Sequence, residues 1–215
     1  MRGDIEAQLI KDGSYPAGVD EVGRGCLAGD VYAACVILDY KKLAKLDLKT
    51  RGLIRDSKKL SHLQRKKIIP IIQEISLSIK VCKSGPREIE KVNILEATFL
   101  AMRRAAARTE IDFDILLVDG NQKIKGYDEI QRPIIKGDEH CYAIAAASIL
   151  AKEARDNSMK EAAKKYPVYG FESHVGYGTA KHLDMVKEHG ICDLHRRTFG
   201  PIKKYIEKNK LRFNK

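Results

Sequence analysis

Short apolar runs alternate with longer stretches of helical character along this chain, and that alternation constrains its fold more than any other feature. Residues 16–20 (PAGVD) and 30–38 (DVYAACVIL) are rich in β-branched and small side chains and read as strands. Ser61, followed three residues later by Gln64, is a capping box for a helix through about residue 75, which Pro70 should kink or divide. Residues 76–82 (SLSIKVC) alternate as a half-buried strand does. Pro86 stands where a helix running to about Arg108 would start. Ile115–Val118 is a short apolar run that ends at Asp119-Gly120, the pattern of a buried strand delivering a carboxylate at its C-terminal end, and residues 133–136 form a weaker strand. From about residue 140 to Lys165 the chain is strongly helical, with an Ala-rich first half. Strands interleaved with helices indicate an α/β domain. After Tyr166 there is loop and helix without a convincing strand. The expected division is a main domain over 1–165 and a C-terminal loop and helical part over 166–215 packed on it.

Bulk properties narrow the function classes. Hydrophobic residues make up 44% of the chain and charged residues 32%, so a sizeable core and solubility are both within reach. No window reaches the length of a membrane-spanning helix, and the N-terminal MRGDIEAQLIKDG lacks the apolar stretch of a secretory signal. Cys26, Cys35, Cys82, Cys141 and Cys192 are scattered, odd in number and without a C-x-x-C pair, which suggests reduced thiols in a cytoplasmic protein. Neither cysteines nor histidines cluster at zinc-ligand spacing. The net charge of +11 is unevenly placed: residues 41–67 carry eleven Lys or Arg against two acids, and residues 203–215 carry six against one. Such concentration favours a polyanionic partner, although a solvated charged face is the ordinary alternative for either segment.

The most informative segment is Gly18-Val19-Asp20-Glu21-Val22-Gly23-Arg24-Gly25. Neighbouring strand residues point to opposite faces, so Asp20 and Glu21 can serve one site only if the backbone turns there. Gly23 and Gly25 permit a turn and close approach by a ligand, and Arg24 can offer a fork of donors to a phosphate. A dinucleotide fingerprint fails, because Gly23, Gly25 and Gly29 have one residue too many in their spacing and lead into a strand-like run, not a helix. Two more acids stand out. Asp119 closes the run ILLVD and is also an ordinary Asp-Gly turn; Asp138 precedes the long helix and is also an ordinary N-cap. Acids converging from several elements towards a basic turn would suit Mg²⁺, which takes carboxylate oxygens together with substrate phosphates. The cation would offset the repulsion that makes such a cluster unfavourable, and two ions can serve both sides of a phosphodiester hydrolysis.

At this point the residues resemble a known family. From about residue 16 to residue 202 the chain is similar to ribonuclease HII, through AGVDEVGRG, DSKKLS (56–61), LLVDGN (116–121), KGDEHCYAIAAASILAKEARD (136–156), GYGTAKH (176–182) and HRRTFGPI (195–202). The resemblance implies a ribonuclease H-like fold, a mixed sheet flanked by helices with a C-terminal helical appendage, residues 1–165 forming the catalytic domain. It implies a cytoplasmic, monomeric endoribonuclease without membrane attachment. The implied substrates are RNA–DNA hybrids and duplex DNA with embedded ribonucleotides, cut on their 5′ side to leave 3′-hydroxyl and 5′-phosphate ends. The cofactor would be Mg²⁺ or Mn²⁺. The family's four metal-site acids fall on Asp20, Glu21, Asp119 and Asp138, and Asp156 matches a further acid that supports the site. Gly23, Arg24 and Gly25 match the turn that contacts the ribose 2′-hydroxyl and nearby phosphates, the hydroxyl being what separates RNA from DNA. Tyr177 matches a tyrosine that packs on the sugar at the RNA–DNA junction, and Lys58 and Lys59 look like phosphate contacts. His182 and His195 match motif positions without a catalytic role.

This chain departs from the family pattern in places. Cys26 and Asp30 stand where proline is common, Val175 where a basic residue is often found, and Val22 where alanine is usual. Ribonuclease HIII, which adds an N-terminal substrate-binding domain and typically has Lys in the glycine turn, is the nearest family alternative. The first motif begins by residue 17, which favours HII. A non-catalytic module that binds hybrids by charge and groove shape would also use the basic segments, but four acids in a polyanion site would repel its ligand unless metals neutralise them.

Overall fold

The computed structural model describes residues 2–213. Helix α1 (Asp4–Lys11) precedes strand β1 (Pro16–Val22), the glycine-rich turn and strand β2 (Val31–Leu38). Helices α2 (Tyr40–Lys45), α3 (Leu48–Gly52) and α4 (His62–Glu74) follow, with a 3₁₀ turn at Ser57–Lys59. Strand β3 (Ser76–Ser84), helix α5 (Pro86–Ala106) and strands β4 (Ile115–Asp119) and β5 (Gln131–Ile134) complete the sheet. A short helix α6 (Gly137–His140) leads into the long α7 (Tyr142–Lys165), and α8 (Phe171–His174), α9 (Ala180–His189) and α10 (Gly200–Phe213) finish the chain. The last two residues of the basic segment 203–215 lie outside the described residues.

The sheet order is β3-β2-β1-β4-β5. Strand β1 pairs antiparallel with β2 and parallel with β4, so the sheet is mixed and its centre carries the first motif. Alternation along β1 divides its side chains between two cores. Ala17 and Val19 join Cys35, Leu116, Val118 and the α5 residues Phe99 and Met102 on one face. On the other face α7 lies against the sheet among Ala34, Val36, Ile68 and Ile72. A side chain at Gly18 would run into the backbone of Ala143 and Ile144, so this glycine is what lets α7 seat so close. The alanines of α7, which include the fully buried Ala143, Ala145, Ala146 and Ala147, serve the same close approach. A third cluster joins Leu27, Ala28 and Met159 to Tyr169, Phe171, Val186 and Ile202, docking the C-terminal elements onto the turn after Gly25 and the far half of α7.

Three expectations need correction. Helix α4 is not divided at Pro70: it runs unbroken to Glu74, with both halves of the Ser61–Gln64 capping box formed. Pro70 and Lys66, whose carbonyl loses its donor, are both exposed, so water can take the place of the missing bond. Helix α5 is two helices in series, because Asn93 has φ 71° and its Oδ1 accepts from the N–H groups of Leu95 and Glu96 as a fresh N-cap. Strand β5 spans 131–134, not 133–136, because Ile135 is exposed and Lys136 turns the chain at φ 54°. All five cysteines are free, and among the described residues no helix is long and apolar enough to cross a membrane.

Candidate active site

Parallel strands β1 and β4 end side by side, and their last residues set out the site. Val19 pairs with Val118, which brings Asp20 level with Asp119 at the carboxyl ends of the strands, the usual place for a ligand site in an open α/β sheet. The backbone does not turn at the two acids. Pairing continues through Val22 and Tyr32, so Asp20 and Glu21 leave opposite faces of β1, and the turn begins at Gly23. Asp20 lies on the α7 side, buried, receiving a hydrogen bond from the Ser148 hydroxyl and one of 2.6 Å from the Glu21 N–H. Glu21 comes round the end of the sheet from the α5 side. With Arg24, Thr98, Phe99, Met102 and Asp119 it lines a cleft there. The two carboxylates therefore reach one site by flanking Asp119, not by a bend in the strand.

The fourth acid arrives through α6. The Gly137 N–H donates to Asp119 Oδ1 at 2.7 Å, which holds the start of α6 against the end of β4 and sets Asp138 beside Asp119. Asp138 is not the cap of the long helix. Glu6 of α1 takes that role, its carboxylate accepting from the Tyr142 and Ala143 N–H groups at 2.8 Å each.

Electrostatics mark this end of the sheet as unfinished. Burial, then the charges of Glu21 and Asp119, push the Asp20 carboxyl well above the usual carboxylate range. Burial raises Glu21 as well, with Arg24 opposing and Asp119 adding to the rise. Burial also raises Asp119, against hydrogen bonds from Gly137, Asp138 and Gly120. Asp138 is pushed up to about 6 by burial and by the neighbouring charges of Asp119 and Asp56. Clustered acids that hold protons this firmly are short of positive charge. The donor set is all hard oxygen, which fits Mg²⁺ or Mn²⁺. Among the described residues no group of three or more His, Cys, Asp or Glu is arranged to hold a metal by itself.

The other expected residues separate into two groups. Lys58 is exposed and close enough to Asp119 and Asp138 to pull both carboxyls down, whereas Lys59 is tied to Glu139 at 2.5 Å. Asp156 does not join the four acids. Its oxygens are held by Arg65 Nη2 at 3.0 Å and Lys152 Nζ at 2.6 Å, a buried pairing that ties α4 to α7. Arg24 is exposed, with Nη1 3.2 Å from Glu21 Oε1. Tyr177 is 40% exposed, with its ring 5.9 Å from the Arg155 guanidinium carbon and its hydroxyl directed to Cys26 Sγ. Val175 adopts φ 43°, a strained conformation for a β-branched residue directly before the Gly-Tyr-Gly loop.

Several residues that matter here escaped sequence reasoning. Ser148 links Asp20 to Ser57, whose hydroxyl is 3.0 Å away in the turn that carries Lys58. Arg155 and Arg196 are fully buried beneath the glycine turn. Arg155 donates to the carbonyls of Asp30 and Ala28, and Arg196 to those of Gly29 and Arg24. Gly23, at φ 93°, must be glycine for a second reason: a side chain would collide with the Arg155 guanidinium. The only signal available was the density of Arg in the motifs at 155 and 196.

Comparison with known proteins matches this arrangement. The family model described as Ribonuclease HII covers residues 17–201. A ribonuclease HII of Endomicrobium trichonymphae is 47% identical over 208 residues, 96% of each chain. The ribonuclease H2 of Pyrococcus horikoshii OT3 superposes with a TM-score of 0.76 at 25% identity, covering 91% of this chain and 98% of that one. Bst-RNase HIII in complex with Mn²⁺ shares the fold at a TM-score of 0.68 and 20% identity, over 92% of this chain and 71% of its own.

Proposed function

The chain belongs to the ribonuclease HII family and is an endoribonuclease of RNA–DNA hybrids; on that footing we propose that Asp20, Glu21, Asp119 and Asp138 form its divalent-metal site. What supports this assignment is that β1, β4 and the start of α6 carry Asp20, Glu21, Asp119 and Asp138 to one end of the sheet, where burial raises the proton affinity of each. Family chemistry depends on divalent metal, here read as Mg²⁺ or Mn²⁺. Metal held by these oxygens would activate the attacking water and stabilise the leaving oxygen of the phosphodiester. The chain's own residues then bind and orient. Ser148 keeps the Asp20 carboxylate facing the site. Lys58, exposed and near Asp119 and Asp138, meets a substrate phosphate. Gly23, Arg24 and Gly25 present backbone and guanidinium donors to the ribose 2′-hydroxyl and adjacent phosphate, and Tyr177 packs on the sugar at the junction. Cutting falls on the 5′ side of a ribonucleotide embedded in duplex DNA and leaves 3′-hydroxyl and 5′-phosphate ends. Asp156 supports the site at a distance, by fixing α4 against α7. Free thiols fit a cytoplasmic setting, and the protein acts as a monomer.

The test is a DNA duplex with one ribonucleotide, incubated with Mg²⁺ or Mn²⁺. Cleavage 5′ of the ribonucleotide, abolished by EDTA and by Asp20→Asn, is the expected result. Tight binding with no cleavage in either metal would make the chain a hybrid-binding module and remove the proposed chemistry.

A further inference from the structure

Two histidines in the C-terminal motifs have no part in the chemistry above, yet both are buried, His182 at 0% and His195 at 1% exposure. Their hydrogen bonds fix where each proton sits. The Cys192 N–H can only donate, and it points at His195 Nδ1 from 2.9 Å, so that nitrogen is bare. A neutral His195 therefore carries its proton on Nε2, which lies 3.1 Å from His182 Nε2 and donates to it. His182 is then protonated on Nδ1, which donates to the Tyr177 carbonyl at 2.9 Å. The two rings hold opposite tautomers, and the chain of donors runs one way, from Cys192 to the backbone of Tyr177. His174 stacks on His182 at a centroid distance of 4.5 Å with both its own nitrogens engaged, by the Gly176 N–H and the Tyr169 carbonyl. With all six imidazole nitrogens of the trio taken, none is left for a metal.

The far end of this chain is the loop proposed to sense the junction. The Tyr177 carbonyl also accepts from the Thr179 N–H at 2.9 Å, and the Tyr177 N–H donates to His174. One residue earlier, the Gly176 carbonyl accepts from Leu27 N–H at 2.8 Å and Ala28 N–H at 3.3 Å, in the limb that leaves the glycine turn. His195 bridges to Ala28, and the Arg196 N–H donates to Leu27. Three segments, 27–29, 174–178 and 194–196, thus form one hydrogen-bonded layer. The histidine pair is its only side-chain link to the Tyr177 carbonyl among the described residues.

We propose that His182, braced by His195, is a positioning residue that sets Tyr177 relative to the glycine turn and thereby the preference for a lone ribonucleotide in DNA over a long hybrid. A lone ribonucleotide offers one ribose and one junction, so recognition depends on the turn and the tyrosine being held in register. A long hybrid offers many placements and tolerates a looser pair. The inference rests on the reading of Tyr177 as the residue that packs on the junction sugar.

Amide side chains separate the two nitrogens. In His182→Asn the amide nitrogen falls near the Nδ1 position and still reaches the Tyr177 carbonyl; in His182→Gln it falls near Nε2 and does not. The ratio of kcat/KM on a single-ribonucleotide duplex to that on a long hybrid should fall about tenfold in His182→Gln and stay within about twofold of wild type in His182→Asn, while the two variants lose similar amounts of thermal stability. Tyr177→Ala, run in parallel, should lower the same ratio. If it does and the two His182 variants behave alike, the positioning role is overturned and the reading of Tyr177 stands; if Tyr177→Ala leaves the ratio unchanged, the reading itself fails. Long-range ¹H–¹⁵N spectra of the unmutated protein give an answer that no variant's folding can cloud. Opposite tautomers on His182 and His195 at neutral pH support the proposal, and matching tautomers or a doubly protonated ring overturn it.

Discussion

The carboxylate end of the sheet and the histidine layer beside it are both buried, polar and built from the motif segments, yet they are finished to different degrees. In the histidine layer every imidazole nitrogen has a partner. At the carboxylate end four acids are carried to one end of the sheet, and Lys58 and Arg24 are nearby cations that relieve them. A satisfied polar cluster holds one geometry and specifies it. An unsatisfied one of single sign is an invitation to a counter-ion. The contrast teaches which buried polar groups do chemistry and which hold those groups in place.

Removing one acid is the sharpest way to test that contrast. Asp20→Asn should lower the cleavage rate by about a thousandfold or more, the scale for losing a group that acts in the transition state, without lowering the melting temperature. Burial beside Glu21 and Asp119 makes that carboxyl a burden on the metal-free fold. A melting temperature that drops by several degrees would place Asp20 among the structural groups instead.

Acid titration of stability should separate the regions by sign. Burial, then the His182 ring, depresses His195 to about 4, below its unfolded value near 6.5. The unfolded chain then binds the extra proton, so this contribution, on the order of 3 kcal/mol, is present above about pH 6.5 and is lost as pH falls towards 4. Asp138 does the reverse, because its carboxyl is raised to about 6. The folded state holds the extra proton, and stability is lost as pH rises from about 4 to 6, by roughly 1–2 kcal/mol once solvent screening is allowed for. The unfolding free energy measured with denaturant between pH 4 and 6.5 should therefore rise more steeply with pH in Asp138→Asn than in the unmutated protein, and less steeply in His195→Gln. Matching slopes in the two variants would erase the distinction.

Metal should act on one region alone. At a hundredfold excess over its dissociation constant, Mg²⁺ should stabilise the fold by about 2.7 kcal/mol and release protons near pH 6, with less release in Asp138→Asn and no change in release in His195→Gln. Calorimetry in two buffers of different ionisation enthalpy reads this directly. The smallest effect concerns the two lysines of one turn. Lys58→Ala should reduce the salt dependence of duplex binding by about one phosphate contact, and Lys59→Ala, whose amine is already held by Glu139, should change it far less. Equal slopes would show that the Glu139 pairing gives way to substrate.

Sequence reasoning singled out Asp20 and Glu21 as adjacent acids before a glycine turn and Asp119 as the acid that closes an apolar run, and the resemblance joined them with Asp138 into one site. It also reached the mixed α/β layout, through composition and capping signals such as Ser61 and Gln64. Their mutual geometry was out of reach. The alternation rule was sound, but the inference of a bend at Asp20 failed, because nothing in the chain says that β4 will end beside β1 with Asp119 between the two carboxylates. Ser148 among alanines and the two buried arginines have no periodic signature. Arg196 is 167 residues from Gly29, whose carbonyl it holds, and a partner so distant leaves no local mark. Asn93 illustrates the milder case: asparagine tolerates the left-handed region, but a single asparagine inside a helical pattern does not announce a break.

Glu6 has a consequence for how the molecule comes into being. It stands in α1, yet the two N–H groups it caps lie 136 and 137 residues further on. At ribosomal speeds the wait is on the order of ten seconds. For most of that interval β1 can pair with β2, but its other edge waits for β4 and its α7 face has no cover until the end. Asp20 and Glu21 thus emerge solvated and well separated from Asp119 and Asp138, and the repulsion among the four acids is met only once most of the chain has left the ribosome. Glu6 thus fastens the start of α7, and with it the cover over the β1 face that carries Asp20, only when most of the sheet has been made.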